Sequence, residues 1–300
     1  MELNSIIFPS PDYSHDIEAH SDELIFIPKI KNIGLPDQED IIGHIPCLLL
    51  LANKKNLLSK NFFIYFHGNA EDIFFSKELA DRIKQNLSVN ILIVEYPGYS
   101  IYKQSKSGDI ILEDSLFIFD YLTHKLLVEP NHIYVFGRSI GTGPASYLSC
   151  QREFASLVLM SPFTSIKDVA KHLVGFFSFM ISERFTNNEY LKKCTCPILF
   201  IHGQQDKLIP YSHTLLLKQS CICPIEVVLP EDMDHNRFDY EADLLSPLKE
   251  FLKRNTHFNT IETCMLHIPG YLYQIPEYLK NHITSSSSIE TSYGCFGLNK

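Results

Sequence analysis

The strongest constraint on this chain is an alternation that runs along most of it. Short apolar runs at 61–66 (NFFIYF), 89–95, 132–136, 155–160, 197–202 and 225–229 read as strands. Longer amphipathic stretches at 71–87, 109–127, 211–219 and 240–254, with another starting at Ile140, read as helices. Parallel strands need long crossovers, and helices supply them. The pattern therefore predicts an α/β protein with a mostly parallel central sheet of about eight strands and helices on both faces. Two earlier runs, 24–30 and 45–52, flank the turn residues Gly34, Pro36 and Asp37. They are expected to pair antiparallel at one edge.

A chain of 300 residues leaves one domain or two open. The alternation assigns 21–254 to one unit, with a lead-in at 1–20 and a cap-like insertion at about 165–190. Residues 255–300 break the pattern and read as an irregular extension whose serine-rich tail is partly disordered. A hydrophobic fraction of 45% supports a large core. The net charge of −9, with no basic cluster, argues against nucleic-acid partners. No apolar run approaches the roughly 18 residues that span a bilayer, and the first residues lack the pattern of a signal peptide. The expected location is the cytoplasm, with peripheral contact at the cytosolic face of membranes carried by apolar segments.

Eight cysteines in such a chain read as free thiols. Cys194-Thr-Cys196 and Cys221-Ile-Cys223 carry one-residue spacers, a poor fit to structural zinc. They read as buried cysteines at strand edges. No metal or organic cofactor is expected.

Gly137-Arg138-Ser139-Ile140-Gly141 lies between a strand and a helix. That is the context of a nucleophile elbow, where a strained turn exposes the serine oxygen and flanking glycines admit neighbouring backbone. The alternative is a plain glycine-rich turn. A serine nucleophile needs a base, and the base needs an orienting carboxylate. Asp206 follows the strand at 197–202 and His235 follows the strand at 225–229, so both fall on the sheet edge that carries Ser139. His67, His202 and His213 are rival bases; Asp232 and Asp234 are rival acids, too near His235 in sequence to orient it. The N–H of Ile140 and that of Asn69, in a loop turned by Gly68, are the expected oxyanion donors. Asn69 is also a candidate helix N-cap. Phe176, Phe177, Phe179 and Met180 in the cap-like insertion are candidates to line an acyl groove, against the alternative of a core-packed helix. Arg138 and Glu95 are candidates to select a charged substrate end, against the alternative of internal pairing.

HGNAED (67–72), EYPGYS (95–100), GRSIGTGPA (137–145), SPFTS (161–165), HGQQD (202–206) and DHN (234–236) occur in this order. With FPSPDYS at 8–14 and LIFIPKI at 24–30, the set resembles the α/β-hydrolase domain proteins, in particular the family-17 and family-13 branches. The likeness covers about residues 6–254. It implies an α/β-hydrolase fold and a serine hydrolase working through Ser139, Asp206 and His235. In the family-17 branch it implies cleavage of fatty-acyl thioesters on S-palmitoylated proteins, and hence an acylated protein or lipid ester as partner. Two features differ from that branch: Ser100 stands where a glycine is usual, and the first cysteine is Cys47 rather than part of a lipidated N-terminal cluster. The Gly-Arg-Ser form of the elbow is closer to the family-13 branch. Serine aminopeptidase-like or small-ester hydrolysis, and a non-catalytic binding protein on the same scaffold, are the alternative readings.

Overall fold

Residues that are buried on both faces of a sheet read as unbroken apolar runs, and the central strands here are of that kind. A computed structural model of the chain describes residues 17–54, 57–174, 183–260 and 262–280. Its strands are β1 (Leu24–Lys31), β2 (Asp40–Leu50), β3 (Asn53–Lys54), β4 (Leu57–Ser59), β5 (Phe62–Phe66), β6 (Asn90–Val94), β7 (Ile133–Arg138), β8 (Ser156–Met160), β9 (Ile198–Ile201), β10 (Ile225–Val228) and β11 (Thr263–Cys264). The helices are α1 (Lys77–Leu87), α2 (Gly108–His124), α3 (Thr142–Gln151), α4 (Ile166–Val174), α5 (Asn187–Leu191), α6 (Ser212–Ser220) and α7 (Ser246–Asn255).

Eight strands form the main sheet in the order β1-β2-β6-β5-β7-β8-β9-β10. β2 runs antiparallel to both β1 and β6, and the pairs from β6 to β10 are parallel. The sheet is thus the mostly parallel one that the alternation predicts, with the expected antiparallel pair at one edge. Successive side chains on β5 point to opposite faces, so Phe62, Ile64 and Phe66 enter one core while Phe63 and Tyr65 enter the other. The first core is closed by Ile111, Ile118 and Leu122 of α2, Leu148 of α3 and Leu217 of α6. The second is closed by Leu79 and Ile83 of α1 and by Leu248, Phe251 and Leu252 of α7. Helices therefore cover both faces of the sheet, the layered arrangement expected of a doubly wound α/β fold.

Two element boundaries differ from the periodicity for local reasons. The helix expected from residue 71 begins at Lys77. The carboxylates of Glu71 and Asp72 are engaged in the preceding loop: Glu71 accepts from the Gly68 N–H and the Ser76 hydroxyl, and Asp72 from the Phe75 N–H. The last helical stretch opens as a wide π-type turn over Tyr240–Leu245, capped by the Asp239 carboxylate, before α7 starts at Ser246.

The segment after α7 packs on the body. β11 pairs antiparallel with β4, which pairs with β3 in a small second sheet. Leu272, in a 3₁₀ turn at Gly270–Tyr273, enters one core and Leu279 the other. The hydroxyls of Tyr271 and Tyr121 meet at 2.6 Å. The serine-rich tail lies outside the described residues, as does the lead-in up to residue 16. No helix among the described residues is long and apolar enough to cross a membrane.

Candidate active site

The site is assembled at the carboxyl ends of the parallel strands, where loops from several strands meet. β7 ends at Arg138, and the chain turns sharply through Ser139 into a 3₁₀ turn and then α3. Ser139 has φ of 52°, in the left-handed region that a residue with a Cβ enters only under strain. The glycines on either side make room for this turn. A Cβ on Gly141 would overlap the carbonyl oxygens of Phe66 and His67 at the end of β5. A Cβ on Gly137 would overlap the Gly141 carbonyl and the Ala145 side chain. Neither set of neighbours can retreat, because both are backbone or core. Gly141→Ala is therefore expected to destabilise the fold by about 2 kcal/mol or more, read as a lower denaturation midpoint at an unchanged denaturant slope.

The structure brings the three residues singled out in the sequence into one hydrogen-bonded series. His235 Nε2 lies 3.0 Å from Ser139 Oγ, and His235 Nδ1 lies 2.7 Å from Asp206 Oδ2. Nδ1 faces a carboxylate, so it carries the proton, and Nε2 is left to accept from the serine hydroxyl. The second carboxylate oxygen of Asp206 accepts from the N–H groups of Leu208 and Ile209 at 3.0 and 2.8 Å. His202 Nε2 lies 2.8 Å from the Ile209 carbonyl and 3.4 Å from Asp206 Oδ2, while its Nδ1 meets the Thr214 hydroxyl at 2.7 Å. Burial acts to raise the Asp206 carboxyl, but hydrogen bonds from His202 and His235 outweigh it and hold the group well below the usual carboxylate range.

That depression has a sign in stability. A carboxyl held below its unfolded value contributes stability that is complete above about pH 3.9 and is lost as pH falls through the folded value. Asp206→Asn should therefore flatten the acid limb of the melting-temperature profile below about pH 4, measured by calorimetry on both proteins.

The rival side chains have structural partners. His67 is fully buried and stacked on Tyr96 at 4.0 Å, with its ring nitrogens on the Gly68 carbonyl and Glu95. His202 braces Asp206, and His213 sits on α6 against Thr164. Asp234 accepts from the N–H groups of Asn236 and Arg237, closing the turn that carries His235. The Asp206 and His235 loops are laced together, with Gln205 N–H on the Met233 carbonyl and Gln204 N–H on that of Pro230.

Ile140 follows Ser139 in the 3₁₀ turn, and the Thr142 hydroxyl donates to the Ser139 carbonyl at 2.7 Å. Across the site, Gly68 and Asn69 head the loop after β5. Asn69 does not cap α1, which starts eight residues on at Lys77; its side-chain oxygen instead accepts from the Tyr99 hydroxyl at 2.8 Å. Ala70 takes a left-handed turn at φ of 57°. Phe176, Phe177, Phe179 and Met180 lie outside the described residues. No group of three or more His, Cys, Asp or Glu side chains among the described residues is arranged to hold a metal ion.

One part of the site has no signature in the sequence. Arg138, beside the nucleophile position, forms a buried ion pair with Glu71. Its other nitrogen donates to the His235 carbonyl and to Asn236 Oδ1, both at 3.1 Å. Glu71 in turn holds the Gly68 N–H at 3.0 Å. Two charges thus tie together the loop after β5, the elbow and the histidine loop. Arg138 and Glu95 are both engaged internally, which removes them as selectors of a charged substrate end.

No family model matches the chain. Among the solved structures that share its fold are two esterases. The esterase Est1E from Butyrivibrio proteoclasticus aligns at a TM-score of 0.59 and 18% identity over 78% of this chain and 98% of that one. The Pyrococcus furiosus esterase Pf2001 aligns at 0.61 and 16% identity over 83% and 96%. In sequence, the chain is 30% identical to alpha/beta hydrolase domain-containing protein 17B of Xenopus tropicalis over 211 residues, which is 70% of this chain and 71% of that protein. A likeness of that extent, on a hydrolase sheet with its elbow in place, means that this chain belongs to the alpha/beta hydrolase domain-containing protein 17 family.

Proposed function

We propose that this protein is a serine hydrolase of acyl esters or thioesters, acting through Ser139, His235 and Asp206. The observation that carries this reading is the unbroken series from Ser139 Oγ through the His235 ring to Asp206, with both contacts at hydrogen-bond distance. Ser139 Oγ attacks the acyl carbonyl while His235 Nε2 takes its proton. Asp206 keeps the imidazole in the tautomer that can accept that proton and stabilises the imidazolium that results. The N–H groups of Ile140 and Asn69 receive the oxyanion. His235 returns its proton to the departing alcohol or thiol, then activates a water that releases the acyl group from Ser139.

Membership of the 17 family favours a fatty-acyl substrate: an S-palmitoylated protein or a lipid ester at the cytosolic face of a membrane. The peptidase alternative is weakened because the charges nearest the elbow, Arg138 and Glu95, are spent on Glu71 and His67. Turnover of a series of p-nitrophenyl esters, acyl thioesters and aminoacyl amides tests the substrate class. Each methylene buried in an apolar groove contributes about 0.8 kcal/mol, so kcat/KM should rise about fourfold per methylene along the acyl series until the groove is filled. A preference for acetate over long chains, or for the aminoacyl amides, overturns the fatty-acyl reading.

A further inference from the structure

Ser139 and Ile140 share one peptide unit, and it is trans, as are all those of the described residues. In a trans unit the C=O and the N–H point in opposite directions, so whatever fixes the Ser139 carbonyl also aims the Ile140 N–H. The first N–H groups of a helical turn have no partner within it, which leaves that of Ile140 for an oxyanion. The Ser139 carbonyl accepts from Thr142 twice, from its backbone N–H and from its hydroxyl at 2.7 Å. Thr142 Oγ1 lies 3.3 Å from Asn187 Nδ2, and the same nitrogen donates to the Phe163 carbonyl at 2.9 Å. Both side chains are fully buried. Asn187 opens α5, and Phe185, two residues before it, takes φ of 49° and lies on Gly143 of α3, where a Cβ would overlap its ring. The Asn188 N–H donates to the Thr164 carbonyl at 3.2 Å. The start of α5 is thus pinned to the first turn of α3, beside the nucleophile.

The direction of each hydrogen bond follows from what the groups can do. A carbonyl only accepts, so the nitrogen of the Asn187 amide faces Phe163. That nitrogen is then also the atom against Thr142 Oγ1, which accepts from it. The threonine hydroxyl has one proton, and it goes to the Ser139 carbonyl. Asn187 keeps this orientation although its Oδ1 is buried with no hydrogen-bond partner among the described residues, an arrangement that stability alone does not favour. We propose that Asn187 and Thr142 are positioning residues for the oxyanion: Asn187 directs the Thr142 hydroxyl onto the Ser139 carbonyl, and the fixed peptide unit aims the Ile140 N–H at the oxygen that becomes charged. The proposal rests on the serine hydrolase reading above. The N–H counts most where the charge is fully developed, so the relay acts on kcat rather than on KM.

The test compares variants of the full chain by kcat and KM on a p-nitrophenyl acyl ester and by inhibition with an alkyl trifluoromethyl ketone, whose adduct on a serine carries the oxyanion. Thr142→Val keeps the side-chain shape and removes the hydroxyl. It should lower kcat on the order of tenfold, leave KM within about twofold, and weaken the ketone by the same factor as kcat/KM. Thr142→Ser restores the hydroxyl and should return kcat to within about threefold of wild type. Asn187→Leu should lower kcat by about three- to tenfold alone, and by no further factor in the Thr142→Val background, because it acts through that hydroxyl. Titration with a fluorophosphonate, run to completion, counts the folded sites, so that loss of fold is not read as loss of chemistry. A Thr142→Ser variant as slow as Thr142→Val, a slower variant that binds the ketone as tightly as wild type, or multiplying effects of the two substitutions overturns the proposal. Full kcat in Thr142→Val, with turnover that still depends on Ser139, removes the relay alone. A wild type that turns over no ester, or that labels no better than Ser139→Ala, removes the hydrolase reading and the relay with it.

Discussion

Ser139→Ala is expected to lower turnover of a p-nitrophenyl acyl ester by on the order of 10⁴-fold or more, and to abolish labelling by a fluorophosphonate probe. The size of the effect follows from the way the three side chains act together. With the hydroxyl gone, His235 has no proton to take, and only the oxyanion donors and substrate binding remain. The fold should be unaffected, because an alanine occupies the turn with no more steric demand than serine. Equal labelling of wild type and variant would remove Ser139 from the mechanism. A drop in turnover with an unchanged melting temperature is the combination that separates loss of chemistry from loss of structure.

Arg138→Met is expected to be the most damaging substitution outside the three reacting residues. Both partners of the Arg138–Glu71 pair are about nine-tenths buried. Removing the guanidinium strands the Glu71 carboxylate in the interior, with only the Gly68 N–H and the Ser76 hydroxyl to hold it. Breaking a buried pair in this way costs about 3–5 kcal/mol. The double variant Arg138→Met, Glu71→Met leaves no buried charge and should recover part of that loss in a denaturant titration. Turnover should not recover with it. Arg138 holds the His235 carbonyl, and Glu71 holds the Gly68 N–H beside the expected oxyanion donor Asn69. Small displacements of either loop should cost on the order of 10- to 100-fold in kcat, with KM changed much less. Full recovery of kcat in the double variant would show that the pair supports stability alone.

What could be read from the chain before folding was whatever depends on local pattern. The strands announce themselves because parallel strands covered by helices are apolar on both sides, as FFIYF is. Ser139 is legible because a strand, a glycine-flanked serine and a helix follow one another directly. Asp206 and His235 are legible because each lies just past a strand of the same sheet, so topology brings them to the same edge. The Arg138–Glu71 pair was not legible, since its members stand 67 residues apart and share no periodicity. The late start of α1 was hidden for the same reason: the carboxylates that look like a helical first turn are drawn into the loop by partners elsewhere. The docking of the segment after α7 required the finished surface on which Tyr271 and Leu272 rest.

That last segment bears on how the molecule is made. β11 meets β4 across about two hundred residues of sequence, as the 205-residue separation of Cys264 and Ser59 shows, and Leu272 and Leu279 each finish a different face of the sheet. Contacts this distant form late, because the chain between them must be organised before they repay the loop closure. During synthesis, both hydrophobic layers stay incomplete until residues 263–279 have emerged. Docking of this segment is therefore expected among the last steps of folding, when Leu272 and Leu279 close the two hydrophobic layers.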